Sequence, residues 1–328
     1  MNTIENIISE LQLDEHKRKN ITEDLQRRPV TITGKDLLEL KVVKTPKLLG
    51  NIFSQVGIIG FAGSSDVGKS TFVRNLAAAI VLGEKEFIGM ELNARYRRAL
   101  YVSSEDFEQD LAYLLQKLNN SYKKDSHSYD GLEFIINTED HVQVLEQKLS
   151  ENPVDLVVID TFGDLYGKSM NESNQVRSFL NEYSQLAQKY KCLVIVMHHT
   201  GKRTEDFAPS KHNLLGSQGF ESKMRLVIEF RRDKYDPSKK HFCIVKGNYL
   251  SSEYKDRSFV LRMDDNFHFT NTGERVLFDE LGGDDRSHSL ELQKEIWKLK
   301  ELGMTQAEIA AALNTNQTKV SRLLKGSN

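Results

Sequence analysis

One octapeptide constrains the fold of this chain more than any other feature. Gly63-Ser64-Ser65-Asp66-Val67-Gly68-Lys69-Ser70 fits the pattern G-x-x-x-x-G-K-[ST]. The run VGIIGFAG (56–63) before it has the continuous apolar character of a buried strand, and Ser70 to Leu82 after it has helical periodicity. A strand that turns through glycines into a helix places successive backbone N–H groups, and the positive end of the helix dipole, around one anion. Gly63 and Gly68 permit the required backbone, Lys69 reaches the outer phosphates, and the Ser70 hydroxyl is a ligand for Mg²⁺. Ser64, Ser65, Asp66, Val67 and Thr71 complete the candidate phosphate-binding set. A Rossmann reading of the same segment would need G-x-G-x-x-G, which is absent.

The flanking chain repeats this alternation. RALYVSSED (98–106), LEFIIN (132–137), DLVVIDT (155–161) and CLVIVMHH (192–199) read as buried strands, with helical patterns at Leu111 to Leu118 and over Glu172 to Tyr190. Continuous β-branched runs between helices predict a mostly parallel sheet covered on both faces. From 224 onward, MRLVIEFRRD, HFCIVKGN and SFVLRMDD are strands without intervening helices, which predicts an antiparallel or mixed extension. The N-terminal stretch Thr3 to Leu25 has Ile4, Ile7, Ile8 and Leu11 at helical spacing, and it is too acidic and interrupted for a secretory signal. Three segments are expected: a helical leader over 1–50, an α/β core over 51–282 and a small all-helical module over 283–328, with the linker Gly282-Gly283-Asp284-Asp285 at the boundary.

Three further positions carry candidate chemistry. Asp160 ends the strand LVVID, where a second Mg²⁺ anchor is expected. Glu105, in Ser103-Ser104-Glu105-Asp106, follows the second strand on the side where an α/β sheet binds its ligand; it is the candidate to position an attacking water. His198 and His199 end the fifth strand and point to opposite faces, so they are poor joint metal ligands. His199 is the preferred of the two as a group that senses the terminal phosphate.

Taken together, the P-loop, SSED, LVVIDT and HHTGK over residues 50–280 resemble the RecA-like ATPases, above all the RepA-type hexameric helicases of plasmids and mobile elements. The resemblance implies ATP and Mg²⁺ as cofactors, Glu105 as the catalytic glutamate, His199 as the strand-end sensor and the loop from Lys202 to Ser217 as a DNA-facing or switch loop. It also implies a homo-oligomeric ring in which a neighbour supplies a cation to the nucleotide. Lys246 in VKGN is the first candidate for that cation, followed by Arg231 and Arg232.

The last segment looks like a helix-turn-helix. Ile309, Leu313, Val320 and Leu323 are spaced to lock two short helices, Ala310 is small where they approach, Thr305 and Glu308 form a candidate capping box, and Asn314 suits the turn. The preceding stretch, with Leu290, Ile296, Trp297 and Leu299, supplies a support helix. From Asn314 to the end the only charged residues are Lys319, Arg322 and Lys325, and Gln317, Thr318 and Ser321 add donors that reach bases or phosphates.

Composition tempers this reading without opposing it. A net charge of −2 from 45 basic and 47 acidic residues excludes a histone-like chain, but a local basic face suffices for nucleic acid. Two cysteines make no disulfide framework, so a reducing cytoplasmic home is expected, and no apolar run is long enough to span a membrane. The expected function is an Mg²⁺-dependent ATPase on DNA, a replicative helicase or related motor of a mobile element. An ATP-dependent DNA-binding switch in transcription or partition is the alternative, and an ATPase scaffold is a third.

Overall fold

The computed structural model describes residues 31–39, 45–136, 140–170, 172–201, 204–248, 250–282, 286–313, 315 and 317–325. The helix expected over Thr3 to Leu25 lies outside them, as do Lys202, Arg203 and Asn314. The chain divides into two compact units, residues 1–45 and 46–328. In the first, helix α1 (Gly34–Glu39) is entered through Thr33, whose hydroxyl accepts from the Asp36 N–H at 3.2 Å while the Asp36 carboxylate accepts from the Thr33 N–H at 3.3 Å.

The second unit is built on one sheet. Two short hairpins, β1 (Lys47–Leu49) with β2 (Phe53–Ser54) and β4 (Glu86–Phe87) with β5 (Met90–Glu91), stand outside it. The parallel part of the sheet is β10 (Leu226–Arg232), β3 (Gly57–Gly63), β9 (Leu193–His199), β8 (Leu156–Asp160), β6 (Ala99–Ser103) and β7 (Leu132–Ile136). The remainder, β11 (Lys239–Gly247), β12 (Arg257–Met263) and β13 (Phe269–Leu277), is antiparallel. Among the described residues these nine strands run in the order β13-β12-β11-β10-β3-β9-β8-β6-β7. This is the mixed α/β architecture of a P-loop NTPase core, with a large, mostly parallel central sheet.

Side-chain alternation along these strands produces two apolar faces. One buries Ile59, Phe61, Tyr101, Val158 and Ile195 against Phe72, Val73, Leu76 and Ile80 of helix α2 (Lys69–Leu82). The other buries Ala62, Val157, Ile159 and Val194 against Leu145 and Leu149 of helix α4 (His141–Glu151) and Val176, Leu180 and Tyr183 of helix α6 (Ser173–Tyr190). Leu118 of helix α3 (Glu108–Tyr122) packs beside Ala78 of α2.

The structure departs from the sequence expectations in definite places. Strand β6 stops at Ser103, and its last ladder bond runs from the Ser104 N–H to the Asp160 carbonyl at 2.8 Å. Helix α4, helix α5 (Phe162–Tyr166), helix α7 (Ser217–Lys223) and strand β13 have no counterpart in the periodicity reading. Residues 286–325 hold three helices, α8 (Arg286–Glu301), α9 (Gln306–Ala312) and α10 (Gln317–Lys325), around Ile296, Ile309, Ala310 and Val320. Thr305 and Glu308 make a reciprocal capping box at the start of α9. Trp297, expected in this small core, is instead 39% exposed: Leu292, Ile296 and Leu299 take the inward face of α8.

Candidate active site

The register of the parallel strands gathers the candidate residues at one edge of the sheet. Gly63 at the end of β3 pairs with His199 on β9 and Phe230 on β10, and Ser103 on β6 pairs with Asp160 on β8. The loop after Gly63 uses left-handed backbone at Asp66 (φ 58°) and at Gly68 (φ 95°), which is the N-cap of α2. No side chain caps α2, so its first N–H groups stay available to an anion. A side chain at Gly63 would meet the Phe230 carbonyl at 2.5 Å, so the tight approach of β3 and β10 itself demands glycine.

A cleft of about 550 Å³ opens over this loop. Ser65, Asp66, Gly68, Lys69, Ser70, Thr71, Glu105, Thr161 and His199 line it, so the phosphate-loop residues and the two strand-end candidates share one cavity. Met263 and Phe267, from the hairpin between β12 and β13, form its apolar wall. Lys69 is 6% exposed and donates its Nζ to the Ser64 carbonyl at 2.8 Å. Burial lowers its pKa, and the carboxylates of Asp160, Glu105 and Asp66 pull it back up.

Asp160 is buried beside the cleft, with one carboxylate oxygen satisfied and one open. Oδ2 accepts the Tyr101 hydroxyl at 2.5 Å, while Oδ1 has no hydrogen-bond partner. Burial raises its pKa against the opposing pull of the Tyr101 and Ser70 hydroxyls. Glu105 is half-exposed and stands 3.9 Å from Nε2 of His199. Desolvation, then Asp160 and Asp164, raise the Glu105 pKa.

The two histidines separate as the strand geometry demands. His199 lies on the cleft side. His198 is buried on the other face, stacked on Phe220 at 4.6 Å, with Nε2 at 2.7 Å from the Leu215 carbonyl and its pKa lowered to about 4 by desolvation. It therefore stays neutral and anchors the end of the loop that follows β9.

The three candidate cations part company. Lys246 pairs with Val227 near the start of β10, away from the loop end of the sheet, and its Nζ is 2.8 Å from Glu221 of α7. Arg231 does not fit the expectation of a presented cation. It is 2% exposed, paired with Glu229, and spends its guanidinium N–H groups on the carbonyls of Thr204, Phe207 and Leu281. Arg232 reaches back to its own phosphate loop, donating to the Ser65 carbonyl at 2.9 Å.

Several site residues escaped the sequence reading. Tyr101 read only as strand. Asp164, which accepts from Thr161 Oγ1 at 2.7 Å and Ser104 Oγ at 3.0 Å, is an acid four residues past Asp160 in a helix too short to show periodicity. Glu205 receives the Ser64 hydroxyl at 2.5 Å across 141 positions of sequence. A Ser258–His241–Asp233 string, with both hydrogen bonds at 3.0 Å, mimics a hydrolase triad, but Ser258 is fully buried between strands and cannot meet a substrate. The residues on α10 fall outside this cleft. Gln317 is exposed and Ser321 half-buried, and the side chains of Thr318, Lys319, Arg322 and Lys325 are outside the described atoms.

Strand, glycine loop, helix and strand-end carboxylates together define a P-loop nucleotide-hydrolysing ATPase. Residues 34–205 match the AAA domain family, and the chain belongs to that family of P-loop ATPases. The matched region holds the loop, Glu105, Asp160, His199 and Glu205 and ends before β10. No curated protein matches the chain. Among the described residues no helix is long and apolar enough to cross a membrane.

Proposed function

We propose that the chain is an Mg²⁺-dependent ATPase that acts on DNA, as a replicative helicase or helicase-like motor of a mobile genetic element, working as a homo-oligomeric ring. The observation that carries the chemistry is the shared cleft of Lys69, Ser70, Glu105 and His199 beside the open Oδ1 of Asp160. An unpartnered acceptor buried next to a phosphate-binding loop fits a hard cation: Mg²⁺ takes one or two protein oxygens and completes its shell with phosphates and water. Ser70 and Asp160 would hold it. Among the described residues no group of three or more His, Cys, Asp or Glu side chains could hold a metal alone, so the nucleotide would supply the rest of the shell. Held there, the ion would supply neutralisation of the charge that develops on the phosphates.

The protein's own residues carry the remaining steps. The N–H groups of residues 64–71 and the Lys69 ammonium hold the phosphates. Glu105, its pKa raised toward the working range, orients the attacking water and takes its proton. His199, 3.9 Å from Glu105, registers the terminal phosphate. Lys246 is the cation offered to a neighbouring subunit; its place away from its own loop suits that role, and it must exchange Glu221 for the neighbour's nucleotide.

Two features support DNA as the partner. The segment after His199 is tied to the phosphate loop through Glu205, so a change of nucleotide is felt where a DNA-facing loop would lie. In sequence, α10 carries Lys319, Arg322 and Lys325 and no acid, the charge pattern of a helix-turn-helix recognition helix. One such module binds weakly, and several copies on a ring gain avidity. ATP turnover with and without single-stranded and duplex DNA, followed by strand displacement on a forked duplex, tests the reading. DNA-stimulated turnover with displacement is expected. Stimulation without displacement leaves an ATP-dependent DNA-binding switch, and turnover indifferent to DNA by a monomer removes the motor.

A further inference from the structure

We infer that Tyr101 is the positioning residue for the metal-binding carboxylate: its buried hydroxyl holds one oxygen of Asp160 and so presents the other to the nucleotide-bound cation. The inference rests on the proposed Mg²⁺-nucleotide chemistry and deepens it.

Tyr101 is an anomaly in its strand. Its neighbours in β6 are Ala99, Leu100, Val102 and Ser103, and the tyrosine ring is fully buried. Phenylalanine would satisfy the apolar packing, and a buried hydroxyl is costly without a partner. The partner is Asp160 Oδ2 at 2.5 Å. A carboxylate with two free oxygens rotates about its last torsion; a donor on one oxygen fixes it. The oxygen left over, Oδ1, is the one without a hydrogen-bond partner.

The tyrosine is itself braced. Phe134 packs at 5.5 Å from its ring, and the Arg74 guanidinium lies 5.9 Å above the ring centroid. Arg74, on the phosphate-loop helix α2, is locked in an ion pair with Asp106, the residue after Glu105. The Asp106 N–H in turn donates to Ser103 Oγ at 3.2 Å. One chain of interactions, Asp106 to Arg74 to Tyr101 to Asp160, thus joins the elements that carry Glu105, the phosphate loop and the metal-binding carboxylate. Partners of this kind, one bond removed from a metal, orient the ligand, and their loss typically costs about 10- to 100-fold in metal affinity.

The test uses the full chain with Mn²⁺ as a spectroscopic substitute for Mg²⁺. Mn²⁺ binding in the presence of a non-hydrolysable ATP analogue is read by electron paramagnetic resonance, and analogue binding without metal by fluorescence. Tyr101→Phe should weaken Mn²⁺ about tenfold and raise the Mg²⁺ concentration for half-maximal turnover in parallel. Metal-free analogue affinity should stay within about twofold, a split that general loosening of the core would not produce. Unchanged Mn²⁺ affinity, or equal losses with and without metal, overturns the assignment. If Tyr101→Phe fails to fold, Arg74→Gln, which unbraces the ring and keeps the hydroxyl, should shift Mn²⁺ affinity in the same direction; no shift overturns it equally. Asp160→Asn separates the two levels. If that variant keeps full Mn²⁺ affinity, the underlying metal site fails; if it loses Mn²⁺ and Tyr101→Phe does not, only the positioning role fails.

Discussion

Ser64 in the phosphate loop donates its hydroxyl to Glu205, in the segment after β9, at 2.5 Å. That hydrogen bond places a carboxylate against a loop whose purpose is to hold anions, and it withdraws one loop donor from the phosphates. If the two demands compete, nucleotide occupancy and the position of this segment should be coupled. Glu205→Ala should bind a fluorescent ATP analogue several-fold tighter and show a smaller response of turnover to DNA. Equal affinity in variant and parent would disconnect the segment from the nucleotide.

The same segment is fastened from below by a buried pair. Glu229 accepts from the Ser210 N–H at 2.8 Å and from the Asn213 amide, and Arg231, paired with Glu229, donates to the carbonyls of Thr204 and Phe207. Breaking a buried pair leaves an uncompensated charge, at a cost of about 3–5 kcal/mol. Arg231→Ala should lower unfolding stability by that order in a denaturant titration, whereas Arg232→Ala, whose partner is a single exposed carbonyl, should move it by less than about 1 kcal/mol. Comparable losses would contradict the distinction between the two arginines.

Glu105 offers a pH signature. As the proposed base it works deprotonated, and its pKa is raised by desolvation, then by Asp160 and Asp164. Activity should therefore fall as pH drops, beginning above the ordinary glutamate range, because the raised pKa brings protonation to higher pH. Glu105→Gln should retain ATP binding, lose about 10²–10⁴ in turnover and flatten this acidic limb. A wild-type rate in Glu105→Gln moves the base to another carboxylate.

The terminal helix makes a separate prediction. Replacing Lys319, Arg322 and Lys325 together by Ala should reduce the dependence of duplex affinity on salt by roughly one unit of log–log slope for each phosphate no longer neutralised. ATP turnover without DNA should stay unchanged. A salt slope equal to that of the parent protein would assign the module to protein partners instead.

Much of the core was legible because its signals are local. The strands that end at Gly63, Asp160 and His199 are continuous apolar runs, and the loop after Gly63 has fixed spacing. Helix α4 has no such run, although Val142, Leu145 and Leu149 stand at helical spacing and pack on the core. Strand β13 was missed because FTNTGERVL buries only Phe269 and Val276 and keeps no clean alternation. The residues that complete the site arrive by register and long-range packing. Tyr101 meets Asp160 only because β6 and β8 pair Ser103 with Asp160, and Phe267 reaches the cleft from a hairpin nearly 200 positions beyond the loop. No spacing rule in the sequence carries that information.

Steady-state ATP hydrolysis by the full chain and by Lys69→Ala, each with and without single-stranded DNA, tests the proposed motor most directly. Turnover in the parent protein should depend on Mg²⁺ and be accelerated by DNA, and Lys69→Ala should show none above background under either condition. Retained hydrolysis in Lys69→Ala would contradict the assignment of the phosphate loop as the site of ATP hydrolysis.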